Sequence, residues 1–136
     1  MKTTILKNLV LLFIPITIVG CNDGNKSTEK KTLCFESEYP HQTNPDMKDA
    51  YTLEINVEGD KVTGTYNWFP AEKDQRKGTF SGTVEEHIVD AVYTFEQEGQ
   101  KQTTNIKIYY DKEKATVLGE SPELGLGAKI KKVACE

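Results

Sequence analysis

Residues 51–69 read YTLEINVEGDKVTGTYNWF, and this stretch decides the fold class. Residues 51–58 alternate apolar and polar side chains without interruption, which is the period of a strand with one buried face. Gly59 and Asp60 follow as a tight turn, because glycine adopts the positive φ that a two-residue hairpin turn requires. Residues 61–69 resume with β-branched and aromatic side chains, so the whole stretch predicts an antiparallel β-hairpin.

The rest of the chain beyond residue 30 repeats this pattern of short apolar runs separated by turn residues. About eight strands are expected, over residues 31–37, 51–58, 61–69, 78–84, 88–95, 104–110, 115–119 and 127–135. The longest connection is 38–49, which contains two prolines, and a second polar connection covers 71–77. Short strands joined mostly by short loops predict an all-β fold, either a small antiparallel barrel or a β-sandwich.

The sequence contains three cysteines, of which Cys34 and Cys135 lie at the two ends of the strand-rich region. In an oxidising compartment these two predict one disulfide bond, and a pair of buried free thiols or a metal site are the alternatives. No Cys-x-x-Cys motif or adjacent histidine supports the metal site. A Cys34–Cys135 bond places the first and last strands side by side, which favours the barrel because closure removes exposed sheet edges.

The N-terminal segment has the composition of a secretory signal. Two lysines precede an apolar run over residues 9–19, and the small residue Gly20 stands directly before Cys21. The order IVGC at 18–21 resembles the lipobox of bacterial lipoproteins, which implies cleavage before Cys21 and lipidation of its thiol. An ordinary secretory signal and an uncleaved anchor helix are the alternatives. The apolar run of about eleven residues is too short for a stable spanning helix.

The expected organisation is a signal peptide at 1–20, a lipidated flexible tether at 21–31 and a single all-β domain at 32–136. The tether is polar apart from its cysteine, so it cannot bury enough apolar surface to offset its ordering entropy. Asn22, rather than an aspartate, follows the lipidated position, which favours the outer membrane over retention at the inner membrane. The formal charge of −4 argues against nucleic-acid binding and against attraction to anionic headgroups.

Residues suited to catalysis or metal binding are few. His41 and His87 are the only histidines, and the sequence contains no nucleophile-elbow, zinc-protease or phosphate-binding motif. A metal site built from His87 with Glu85 or Asp90 is an alternative to an ordinary polar turn, and the turn is the preferred interpretation. We therefore expect no catalytic residues, no bound metal, no cofactor and no enzymatic activity.

Aromatic side chains provide the candidate binding residues. Strand alternation places Tyr66 and Trp68 on one face and Phe69 on the other. These side chains either fill and cover the interior of a barrel or form an apolar lip for a ligand or partner. The charged residues of the following loop complete the candidate set, which is Tyr66, Trp68, Phe69, Glu72, Lys73 and Asp74.

The central part of the sequence resembles a family. GDKVTGTY at 59–66, EKD at 72–74, GTFSGT at 78–83 and YTF at 93–95 are similar to patterns in small, mostly uncharacterised lipoproteins of Bacteroidota-type bacteria. Turn and strand residues carry this resemblance, which covers about half of the domain. It implies an all-β fold behind a lipid anchor and supplies no catalytic residues.

Three classes of function follow from these features. The preferred hypothesis is a membrane-anchored, non-enzymatic envelope protein that binds a macromolecular partner as an inhibitor or accessory factor, as small β-barrel lipoproteins that inhibit lysozyme do. The connections at 38–49 and 71–77 provide the loops that such an inhibitor needs, and an acidic domain suits a basic partner. A carrier of a small apolar ligand inside the barrel is the alternative, and an enzyme is the third class. The sequence leaves the partner and the oligomeric state open.

Overall fold

The computed structural model of the protein describes residues 28–120 and 126–136. Within these residues the chain forms a closed barrel of eight antiparallel strands, each hydrogen-bonded to its neighbours in sequence order. The strands are β1 (Lys30–Pro40), β2 (Lys48–Glu58), β3 (Lys61–Phe69), β4 (Arg76–Glu85), β5 (Ile88–Gln97), β6 (Gln100–Tyr110), β7 (Lys114–Gly119) and β8 (Lys129–Val133). The all-β prediction is confirmed, and the structure is a barrel rather than a sandwich.

The hairpin that decides the fold class forms as expected. Val57 faces Val62 across the β2–β3 ladder, and the turn between the two strands contains Gly59 with a φ of 67°. A non-glycine residue adopts this left-handed conformation only at a steric cost, which explains glycine at the turn.

Two connections are shorter than the sequence predicts. Tyr39 pairs with Asp49 and Pro40 pairs with Lys48, so the β1–β2 ladder continues through residues predicted to form a loop. The connection predicted at 38–49 therefore shrinks to 41–47. The ladder can lengthen here because its polar and aromatic side chains reach the rim of the barrel, where they remain partly solvated. β4 likewise begins at Arg76, within the connection predicted at 71–77.

The interior of the barrel is filled with apolar and aromatic side chains. Among the described residues, sixteen buried hydrophobic side chains form one cluster, whose largest fully buried members include Tyr66, Tyr93 and Phe35. Inward-facing glycines make room for the large rings. An ideal Cβ at Gly78 would lie 2.5 Å from Cε2 of Tyr93, and at Gly64 it would collide with the ring of Phe80. The pairing of small and large side chains thus fits aromatic rings into a narrow barrel.

The seam that closes the barrel is short and cross-linked. β1 and β8 pair over only three positions, and the Cys34–Cys135 disulfide joins the chain next to this ladder with Cα atoms 5.3 Å apart. The Ser37 hydroxyl accepts a hydrogen bond from the Lys131 backbone N–H at 2.8 Å. The disulfide predicted from the cysteine count is therefore present, and it compensates for the small number of backbone pairs.

The first strand begins slightly earlier than predicted. β1 begins at Lys30, whereas the sequence predicts a strand over residues 31–37. The predicted signal peptide at 1–20 and the predicted lipidation site at Cys21 lie outside the described residues, as does most of the tether at 21–31. In the part of the chain that the structure describes, no helix is long and apolar enough to cross a membrane.

Candidate binding site

The two longest described loops that the sequence singles out lie at one end of the barrel. Residues 41–47 join β1 to β2, and residues 70–75 join β3 to β4. In an up-and-down barrel these two connections leave the same end. We call this region the loop end, and we define it as residues 41–47 and 70–75 with the strand ends that they join. Loops on a rigid barrel are the usual place for binding residues.

His41 joins the two loops through both of its ring nitrogens. Its Nδ1 lies 3.1 Å and 3.3 Å from the two carboxylate oxygens of Asp49 on β2, and its Nε2 lies 3.1 Å from Oε2 of Glu72. An imidazolium has an N–H on each nitrogen, so the charged form satisfies both carboxylates at once. Asp49 also accepts the backbone N–H of Ala71 at 2.8 Å. This arrangement fixes the loops against each other.

A buried arginine lies in the layer of side chains beneath these loops. Arg76 is only 2% exposed, and its Nε and Nη2 atoms donate to Oε1 of Gln97 at 3.1 Å and 2.8 Å. Its guanidinium carbon lies 5.2 Å from the ring centroid of Trp68 and 4.9 Å from that of Phe95, within the range of cation–π attraction. Burial lowers the pKa of the Arg76 guanidinium, and nearby tyrosines oppose this effect.

Aromatic rings continue this layer around the rim. Tyr51 stacks on Trp68 with ring centroids 6.4 Å apart, and Tyr39 meets Tyr51 edge-on at 6.0 Å. Burial raises the pKa of Tyr51, the Asp49 carboxylate adds to the shift, and the indole N–H of Trp68 opposes it. That N–H is buried and makes no hydrogen bond of good geometry within residues 28–120 and 126–136. The rim therefore combines stacked rings with a fixed positive charge.

Comparison with known proteins gives no match. No family model, no curated protein and no solved structure matches this chain. The role of the loop end must therefore be argued from its own geometry.

The structure places five of the six candidate binding residues at the loop end. Phe69 points outward, with Nζ of Lys77 5.5 Å from its ring centroid, and Trp68 points into the rim. Glu72, Lys73 and Asp74 lie on the exposed loop that follows. As predicted, Trp68 and Phe69 point to opposite faces of β3.

Tyr66 is the exception among the candidates. It is 0% exposed inside the barrel, and its backbone carbonyl accepts the hydroxyl hydrogen bond of Tyr93 at 2.8 Å. Its own hydroxyl is buried and has no hydrogen-bond partner among the described residues. A partner protein at the surface therefore does not reach this side chain, and Tyr66 belongs to the core.

Sequence reasoning missed the residues that organise the loop end. The sequence predicts that Asp49, the partner of His41, ends the 38–49 connection, whereas the structure places it on β2. Arg76 belongs to the predicted polar connection at 71–77, whereas the structure places it on β4. Its position two residues before Gly78 and four before Phe80 puts it on the inward face of β4, so strand alternation was the signal that could have found it.

The alternative metal site around His87 does not assemble. Asp90 instead pairs with Lys107, whose Nζ lies 2.9 Å from its carboxylate, and the His87 ring lies 5.4 Å from that of Tyr110. Among the residues that the structure describes, no group of three or more histidine, cysteine, aspartate or glutamate side chains is placed to hold a metal ion.

Proposed function

We propose that this protein is a lipid-anchored, non-enzymatic bacterial envelope lipoprotein whose barrel binds a macromolecular partner through the loop end, as an inhibitor or accessory factor. The observation that supports this proposal most is the contact of His41 with both Asp49 and Glu72, which holds the two loops of the loop end in one arrangement. Loops that are already ordered lose less conformational entropy on binding, so a fixed surface binds a partner more tightly than a mobile one.

The composition of the loop end supports a protein partner. Phe69 provides a half-buried, outward aromatic side chain with Lys77 over its ring, and the exposed charged residues Glu72, Lys73 and Asp74 follow it in the next loop. Interfaces commonly combine an aromatic anchor with a polar rim of this kind. The exposed carboxylates of Asp46, Glu72 and Asp74, together with the net charge of −4, favour a basic partner because opposite charge accelerates encounter.

The packing of the interior favours surface binding over carriage of an apolar ligand. Tyr66, Tyr93 and Phe95 fill the part of the barrel beneath the rim, and the buried Arg76 guanidinium packs on the Phe95 ring. A ligand inside the barrel would have to displace these side chains. An eight-stranded barrel has room for such side chains or for one small ligand, and here the side chains occupy that room.

The lipid anchor in this proposal is inferred from the lipobox-like sequence at residues 18–21. Lipidation of Cys21 and a polar tether would hold the barrel at the outer membrane while the loop end remains free to meet a partner. Metabolic labelling with a fatty acid tests the anchor, with Cys21→Ser as the variant. Label that persists in Cys21→Ser would reject lipidation at this residue.

A pull-down from envelope extract, combined with a lysozyme inhibition assay, tests the partner. Full-length protein should capture a partner, and the variant Phe69→Ala with Glu72→Lys should lose it. Thr116→Lys, on the outer face of β7, is the matched control and should bind as the wild type does. Failure to capture a partner and to inhibit lysozyme would overturn the proposal, as would unchanged capture by the loop-end variant.

A further inference from the structure

A patch of uncharged side chains covers the outer wall of the barrel over four strands. We call it the hydroxyl face, and its members are Thr63, Thr65, Thr79, Ser81, Val92, Thr94, Thr103 and Asn105. They lie on β3, β4, β5 and β6 and are exposed, apart from the half-buried Thr94. The patch is on the side wall and contains no residue of the loop end, so its role is independent of the partner proposed there.

The strand register aligns these residues in two rows. Thr65 is opposite Thr79, Thr79 is opposite Thr94, and Thr94 is opposite Thr103. The second row runs through Thr63, Ser81, Val92 and Asn105 in the same way. Adjacent strands are about 4.8 Å apart, so each row presents side chains at a regular spacing of that order.

The centre of the hydroxyl face has unused hydrogen-bonding capacity. Thr63 lies opposite Ser81, and Thr65 lies opposite Thr79. Their four hydroxyls make no hydrogen bond with any described residue. A surface groove of about 460 Å³ runs over these four side chains and continues along Asn56, Val92 and Thr94. Each hydroxyl offers one donor and two acceptor positions to whatever lies in this groove.

Charged residues flank the hydroxyl face but are absent from it. The next row toward the loop end contains Lys77, Glu96 and Lys101, and the next row on the other side contains Lys61, Asp90 and Lys107. Strand propensity explains threonine at single positions. It does not explain eight adjacent positions without an ionisable side chain in a chain with 28% charged residues. The pattern indicates a surface adapted to an uncharged partner.

We infer that the hydroxyl face binds a neutral glycan chain. A polyhydroxylated ligand can exchange hydrogen bonds with the four central hydroxyls, and no charged side chain lines the groove that runs over them. A protein partner or a second copy of this chain fits less well, because the face offers no aromatic or arginine anchor and only one apolar side chain. A linear polymer of similar sugar units suits the two regular rows.

Calorimetric titration of the full-length protein with cellohexaose, maltohexaose and chitohexaose tests this inference, in a detergent without a sugar headgroup. At least one of these neutral hexasaccharides should bind. Thr79→Val keeps the shape and strand propensity of threonine and should weaken binding roughly three- to tenfold through loss of a hydrogen bond. Thr63→Val with Thr65→Val and Thr79→Val should abolish it.

Thr116→Val, on the outer face of β7, is the matched control and should leave binding unchanged, and Thr79→Ser should retain it. Circular dichroism confirms that each variant is folded. Absence of binding by all three hexasaccharides would overturn the inference, and so would wild-type affinity in the triple valine variant. Sedimentation analysis that shows a dimer disrupted by Thr79→Lys would assign the face to a second copy of the chain instead.

Discussion

The Nε2 atom of His41 lies 3.1 Å from Oε2 of Glu72, across a sequence separation of 31 residues. The other ring nitrogen contacts Asp49, so the imidazole bridges a strand end and a loop. The two carboxylates differ in their surroundings. The Asp49 side chain is 19% exposed and also accepts the Ala71 N–H, whereas the Glu72 side chain is 51% exposed.

Asp49→Ala should therefore destabilise the protein more than Glu72→Ala. Loss of Asp49 leaves the Ala71 N–H and the imidazole without a partly buried acceptor, which costs about 1–3 kcal/mol of unfolding free energy. Loss of the more exposed Glu72 pair should cost about 0.2–1 kcal/mol. Urea denaturation followed by fluorescence of Trp68 measures both.

A double-mutant cycle measures the free energy of the His41–Glu72 contact separately from the effect of each substitution alone. His41→Ala combined with Glu72→Ala should show a coupling free energy, since the two side chains touch. His41→Ala combined with Glu113→Ala serves as the control, because Glu113 lies in the β6–β7 turn at the opposite end of the barrel. Equal destabilisation by Asp49→Ala and Glu72→Ala would contradict this account of the loop end.

Two buried tyrosines should respond in opposite ways to loss of the hydroxyl. Tyr93 Oη donates to the Tyr66 carbonyl at 2.8 Å, so Tyr93→Phe should cost about 0.5–1.5 kcal/mol and leave a buried carbonyl less satisfied. The Tyr66 hydroxyl is buried and has no hydrogen-bond partner in the part of the chain that the structure describes, so Tyr66→Phe should be neutral or stabilising. Urea denaturation of the two variants provides the comparison. A larger loss of stability in Tyr66→Phe than in Tyr93→Phe would contradict the hydrogen-bond assignment.

Alkaline conditions should destabilise the barrel through the same tyrosines. Burial raises the pKa of Tyr66 and of Tyr93 above the ordinary value of 10.0. The folded state therefore holds both phenolic protons at pH values where the unfolded chain releases them. This contribution to stability is fully present below pH about 10 and is lost as the pH rises above it.

The fall in the urea midpoint between pH about 9 and about 11 measures this effect. Tyr66→Phe removes one of the two phenols and should make the fall less steep. Tyr109→Phe is the control because its side chain is exposed, and it should leave the slope unchanged. A wild-type midpoint that does not change with pH over this range would refute the prediction.

Much of the fold could be predicted because strand alternation is a local signal. The alternation in β2 and β3, with Gly59 between them, defines a hairpin without reference to the rest of the chain. The barrel itself required a long-range constraint, and Cys34 with Cys135 supplied it. Strand ends were less predictable. Whether Asp49 lies in a loop or on a strand depends on its pairing with Tyr39, which no local pattern reveals.

The candidate site was harder to predict for a related reason. Charge is normally a sign of exposure, so Arg76 was assigned to a polar connection. Its burial is possible because Gln97, Trp68 and Phe95 surround the guanidinium. Trp68 is on β3, and Gln97 and Phe95 are on β5, so only the barrel register brings them together around Arg76 of β4. A similar argument applies to the hydroxyl face, whose rows exist only once β3 to β6 are aligned.

Gly78→Ala tests the packing of small against large residues in the core. The added Cβ would lie 2.5 Å from the backbone oxygen of Thr94 and 2.5 Å from Cε2 of Tyr93, so both the β5 backbone and the Tyr93 ring must shift. Overpacking of this kind should cost about 1–3 kcal/mol. Thr79→Val, at the adjacent outward position, keeps the strand propensity of threonine, so it is the control and should change stability by no more than about 0.5 kcal/mol. Similar denaturation midpoints for the two variants would contradict the proposed packing.

Loss of the disulfide should weaken the seam more than any other part of the barrel. The bond joins residues 101 apart in sequence, and the chain-entropy model gives such a loop about 4–5 kcal/mol of stabilisation. Cys34→Ser with Cys135→Ser should therefore unfold at a lower urea concentration than the oxidised wild type. Reduced wild type should match the double variant, because both lack the same cross-link.

Hydrogen exchange locates the weakened region. The Lys131 N–H, which donates to the Ser37 hydroxyl, should exchange faster once the disulfide is removed. Amides in the long β4–β5 ladder should lose protection only through global unfolding, because nine paired positions hold those strands together against three at the seam. If the seam and the β4–β5 ladder lost protection equally, the disulfide would act on the unfolded chain alone, and the short β1–β8 ladder would be sufficient to keep the folded barrel closed.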